Sequence, residues 1–96
     1  MPKPVVARPA RDQAETATIL VLAAAPRGAP AEAVWGARIV ALSWGGARVA
    51  VIAARLGCPA RRVRRCLHRF NAQGVPGMMA ARRKPVRTLV VVGGYL

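Results

Sequence analysis

The stretch from Val49 to Arg69 constrains this chain more than any other. Apolar residues recur there at i, i+3, i+4, i+7 as Val49, Ile52, Ala53 and Leu56, one stripe of a helix. The same spacing returns after a gap as Val63, Cys66, Leu67 and Phe70. Between the two stripes stands Gly57, able to take the left-handed backbone that ends a helix. Pro59 follows, suited to a helix start because the N–H it lacks would be unbonded there anyway. Ala53, four positions before the turn glycine, is small enough to let two helices approach closely. The reading is two short helices joined by a tight turn.

The second helix is studded with arginine. At about 100° per residue, Arg61, Arg65 and His68 fall opposite its apolar stripe, flanked by Arg62, Arg64 and Arg69. A helix pair with a glycine turn and a basic second helix is the pattern of a DNA-binding helix-turn-helix, whose second helix enters the major groove.

Charge supports that direction. The 96 residues carry a formal net charge of +13, and all three acids (Asp12, Glu15 and Glu32) lie in the first third. From residue 33 onward there are twelve Lys or Arg and no carboxylate. A one-signed field of this kind favours a polyanion, nucleic acid before an anionic membrane surface. Two cysteines do not build a disulfide framework of the secreted type. The nine-residue apolar run Ala17 to Ala25 is preceded by Asp12 and Glu15 and stopped by Pro26, so it reads as a helix and not as a signal-peptide core. No segment approaches the ~20 apolar residues that span a bilayer. A soluble, cytoplasmic and nucleoid-associated protein with no membrane partner is expected.

Met1 to Arg11, with three prolines and three basic residues, is expected to be a disordered basic arm. Asp12 and Glu15 form a variant capping box opening a helix over about 13–25. Pro26 to Pro30 is a turn by composition, and a second helix is expected over about 31–43, with Trp35, Ile39 and Leu42 on one face. The arginine-bearing helix is predicted to end near Ala72 with Gly74 as its cap, and Val75 to Ala81, holding Pro76 and Gly77, to be a loop or a single turn. Arg82, Arg83 and Lys84 form a basic cluster, and the apolar tail from residue 88 to 96 is expected to be irregular. The fold class is therefore all-α, a small homeodomain-like bundle of about four helices. Its parts are an arm (1–11), a helix-turn-helix domain (12–75) and a basic linker with an irregular tail (76–96).

From Glu15 to Pro85 the chain resembles the N-terminal DNA-binding region of bacterial insertion-sequence transposases of the mariner-related DDE group. The resemblance rests on Gly28-Ala29-Pro30, on Gly36-Ala37-Arg38-Ile39-Val40-Ala41-Leu42 and on Ile52-Ala53-Ala54-Arg55-Leu56-Gly57. It continues through Val63-Arg64-Arg65, His68-Arg69-Phe70-Asn71-Ala72-Gln73-Gly74 and the basic Arg82-Arg83-Lys84-Pro85. Order and spacing carry it. The chain departs from the family pattern at Arg62, where Thr is usual, at Cys66, where Trp is usual, and at Arg48, which replaces a Ser or Thr helix cap. The resemblance implies recognition of transposon ends. Transposase cutting uses a carboxylate cluster holding two metal ions, and with no acid after residue 32 this chain does not assemble one.

The arginines are thus the candidate functional residues. Arg61 and Arg65, with Ala60 and Arg64, are expected at base edges. Arg48, Arg62, His68, Arg69, Arg82, Arg83 and Lys84 are expected at phosphates. Cys58, Cys66 and His68 show no paired CxxC or HxxxH spacing, so no metal site or cofactor is expected. Ser43 has no evident His or Asp partner, so no catalysis is expected either. Trp35 and Trp44 read as packing residues before stacking platforms. The expected partner is double-stranded DNA, with a homodimer or a separate catalytic transposase subunit as further partners. A small dimeric transcriptional regulator of the repressor or antitoxin type is the alternative, and composition alone also permits a membrane-active basic peptide.

Overall fold

The computed structural model describes residues 4–83, with side chains described through residue 79. Four helices follow in order: α1 (Gln13–Ala23), α2 (Ala31–Trp44), α3 (Val49–Leu56) and α4 (Ala60–Arg83). No strand occurs among the described residues. The all-α helix-turn-helix bundle expected from the sequence is the fold observed. α2 is its centre, packed against α1, α3 and α4.

Each helix end has a local cause. The Asp12 carboxylate accepts from the Glu15 N–H at 2.8 Å and caps α1. Glu15 accepts from the Arg11 N–H in turn, one residue earlier than in the usual reciprocal box. α2 opens on Pro30, with Glu32 in its first turn, where the helix dipole favours a negative charge. Arg48 at the N-cap of α3 makes no capping bond, as its side chain lacks an acceptor. Gly57 ends α3 with φ 67°, and the N–H groups of Gly57 and Cys58 both reach the Ala53 carbonyl.

The largest fully buried side chains are Ile19, Ile39, Val40, Ile52, Val63, Leu67 and Phe70. They come from all four helices, so one core serves the whole bundle. In α3 and α4 the predicted stripes are the buried ones, with Val49, Ala53, Leu56 and Cys66 partly buried around them. In α2, Ile39 is buried and Leu42 packs against the core, and Ala33, Val34, Ala37 and Val40 are buried as well, because the helix is covered on two sides.

Two expectations about the ends of the domain are corrected. Residues 4–11 are not a free arm. Ala7 is buried and donates its N–H to Ser43 Oγ at 2.8 Å. The Asn71 amide imitates a neighbouring strand, accepting from the Arg8 N–H at 2.7 Å and donating to the Val6 carbonyl at 2.8 Å. Trp44 Nε1 donates to the Arg8 carbonyl at 2.8 Å, and its ring meets Phe70 edge-on at 6.0 Å. The segment stays because its backbone groups find side-chain partners instead of water.

The second correction concerns Val75 to Ala81, which is helical and not a loop. α4 is broken at Gly74 (φ 68°, ψ −156°) and resumes with Pro76 in its new first turn, where the missing N–H is harmless. The resumed helix carries Met78 into the core, 3 % exposed. The rest of the predicted linker and tail, from Lys84 to Leu96, lies outside the described residues.

Gly74 occupies backbone space that essentially only glycine visits. A Cβ there would also stand 3.1 Å from Arg8 Nη2 and 3.4 Å from Glu15 Oε2. Gly74→Ala is therefore expected to cost about 1–3 kcal/mol, lowering Tm by roughly 5–20 °C in a circular-dichroism melt. Gly45→Ala, at φ −79°, serves as the control and leaves Tm nearly unchanged.

Candidate nucleic-acid interface

The first half of α4 has three distinct sides. Val63, Leu67 and Phe70 turn inward and have no exposed surface. Arg61, Arg64, Arg65 and His68 are exposed on the opposite side. Arg62 and Arg69 are half-buried on the flank facing α2, and Ala60 is half-buried at the start of the helix. The seam thus positions the charges. A helix with three apolar residues locked into a core has no rotational freedom left, and its remaining side chains must face solvent.

Acidic partners are scarce. The salt bridges among the described residues are Arg8 with Glu15 and Arg62 with Glu32. Arg61, Arg64, Arg65 and Arg69 meet no carboxylate there, so their positive field is left for an outside anion. Arg48, at the start of α3, is exposed as well. Among the proposed phosphate contacts Arg62 differs. It is held 3.4 Å from Glu32 Oε2, and its guanidinium lies 5.1 Å from the centre of the Trp35 ring. Arg82 and Arg83 belong to the last turn of α4, and Lys84 lies outside the described residues.

The Arg8 guanidinium bonds both oxygens of Glu15, at 2.7 and 2.8 Å, and lies 4.5 Å from the centre of the Phe70 ring. It braces the far end of the arginine-bearing segment. Arg8, Ser43 and Asn71 were missed as structural residues, because their partners lie seven to sixty-five positions away in the chain.

Between α2 and this half of α4 lies a cleft of about 440 Å³, with Trp35, Ile39, Cys66 and Met78 among its walls and Arg61, Arg62, Arg65 and Arg69 along its edge. Burial pushes the Cys66 thiol up to about 11, so at neutral pH it is protonated and a poor nucleophile. Of the two tryptophans, Trp44 is the packing residue anticipated, whereas Trp35 is half-buried in the cleft wall. Among the described residues, no three of His, Cys, Asp and Glu gather as metal ligands would. No described helix is long and apolar enough to cross a membrane.

Residues 37–78 match the family model of a homeodomain-like domain. In fold this part of the chain is a helix-turn-helix, similar to homeodomain-like domains. The match begins inside α2, takes in α3, the Gly57 turn and the arginine-bearing half of α4, and closes at Met78. α1 and residues 4–11 stand before it, as additions packed onto the homeodomain-like unit. The match reaches the helix-turn-helix class and stops short of any transposase group. Curated proteins and solved structures yield no significant match.

The Arg8–Glu15 pair gives the fold a pH signature. The hydrogen bonds from Arg8 hold the Glu15 carboxyl at about 2, below its ordinary 4.5. A depressed carboxyl stabilises the fold in full above about 4.5, and that contribution is lost as pH falls toward 2. Tm should therefore drop on acidification through this window, and Glu15→Gln should start from a lower Tm at pH 7 and show a flatter profile below pH 5.

Proposed function

We propose that this chain binds double-stranded DNA, with the first half of α4 lying in the major groove. The observation that carries the proposal is the outward row of Arg61, Arg64 and Arg65, held off the core by Val63, Leu67 and Phe70 and left without acidic partners. Arg61 and Arg65 stand opposite the seam, where an arginine fork can bond guanine O6 and N7. Ala60 and Arg64 lie beside them on the first turns. Arg48, His68 and Arg69 flank that row and suit phosphates, with Arg82, Arg83 and Lys84 extending the contact beyond the helix-turn-helix. Arg62 joins them only when it leaves Glu32. The resemblance to mariner-related transposases refines the target to the ends of a mobile element. On that reading residues 4–83 supply recognition of the end.

Fluorescence anisotropy with labelled duplexes tests this. If about six phosphates are neutralised, log affinity falls with log salt at a slope near −5. Arg65→Ala should cost about 1–3 kcal/mol on the preferred site and relax the preference at one base pair. Arg48→Ala should weaken all sequences alike and make the slope shallower by about 1. Equal affinity for poly-glutamate and duplex would remove groove recognition. A footprint on one asymmetric site fits a transposon end, whereas a palindrome with half-sites about one helical turn apart fits a dimeric regulator.

A further inference from the structure

We propose that the cleft between α2 and the first half of α4 binds a small aromatic anion, and that its occupancy opposes DNA binding. The cleft, at about 440 Å³, falls within the size range of small-ligand pockets. Its two helices meet at small groups. α2 offers Gly36 and α4 offers Cys66, and a Cβ on Gly36 would stand 3.5 Å from Cys66 Sγ and 3.0 Å from Met78 Sδ. A flexible methionine closes the floor where a bulkier side chain at position 66 would fill it.

Its chemistry is two-sided. Trp35, Ile39, Cys66 and Met78 give an apolar and aromatic wall, and the protonated Cys66 thiol adds no charge to it. The Arg62 guanidinium lies over the Trp35 ring, 5.1 Å from its centre, so the wall already holds one cation against an aromatic face, and an incoming ring stacks beside it or in its place. Along the edge, Arg61, Arg65 and Arg69 repeat at i, i+4, i+8 and repel one another. Glu32, the carboxylate of the cleft, is tied to Arg62 and does not neutralise them. A planar ligand carrying one carboxylate satisfies both halves, its ring against the wall and its charge in an arginine fork. Arg61 and Arg65 are also the residues proposed to reach base edges, so a ligand that holds them withdraws them from the groove. This competitive part rests on the proposed DNA binding. The ligand site does not.

Calorimetric titration of the full chain with 2-naphthoate tests the site, with naphthalene-2-carboxamide and inorganic phosphate as comparators. The expected result is one naphthoate per chain, bound about tenfold or more tighter than the carboxamide or phosphate. Cys66→Trp, which fills the cleft, should abolish that binding while the chain still melts cooperatively. Arg69→Gln, which leaves the cleft open, should weaken it about fivefold or more, and this decides the matter if the tryptophan variant does not fold. Carboxamide binding as tight as naphthoate would reduce the site to an apolar patch, and phosphate binding as tight would reduce it to an ion cluster. Either result overturns the proposal, as does an absence of naphthoate binding or its persistence unchanged in Arg69→Gln. At constant ionic strength, saturating naphthoate should raise the duplex Kd several-fold, and an unchanged Kd would overturn the competition. If the chain binds no duplex at all, the DNA reading fails while the calorimetry still decides the cleft.

Discussion

A helix that repels itself needs something other than charge to hold it. Over the nine positions from Arg61 to Arg69, α4 carries five arginines and one histidine and no carboxylate. Like charges three or four apart cost a few tenths of a kcal/mol each. Val63, Leu67 and Phe70, each fully buried, contribute about 1.5–3 kcal/mol apiece. The apolar seam wins by a clear margin. Because it wins, the helix keeps a face that no carboxylate among the described residues neutralises.

The use made of the three acids sharpens the point. Asp12 caps α1, Glu15 clamps Arg8, and Glu32 engages Arg62. Two of the three serve the junction where residues 4–11, α1 and the break in α4 converge. At that junction Gly74 lets the chain pass close to the Arg8–Glu15 pair, and the returning helix delivers Met78 to the core. The arginine-bearing segment is thus gripped along its length by the seam and at its far end by the docked N-terminal segment. What remains outside that grip is the basic outer face and the cleft beside it.

Features governed by neighbours in the chain were legible in the sequence. The Asp12 cap, the Gly57 turn and the two i, i+3, i+4, i+7 stripes depend on residues within one or two turns, and periodicity reads such relations directly. The arginine face follows from the same stripes, since it is their complement. Features made by distant pairs were not legible. Asn71 binds the backbone of Val6 and Arg8 across more than sixty residues, and nothing local marks an asparagine as a strand mimic. Pro76 and Gly77 look like a loop until Gly74 is seen to reset the helix, with the proline at its harmless start. The smallness of Cys66 is visible as a departure from a family pattern, but the cleft it lines also takes in Gly36, thirty residues earlier.

The central claim is that one rigid face, set by the seam, meets the duplex. Backbone amide chemical shifts of the isotope-labelled chain, followed while a duplex is added, test it most directly. Perturbations should concentrate at residues 60–72 and around Arg48, with α1 and residues 4–11 nearly silent. Perturbations centred on α1 or on the N-terminal segment, with residues 60–72 unmoved, would contradict it.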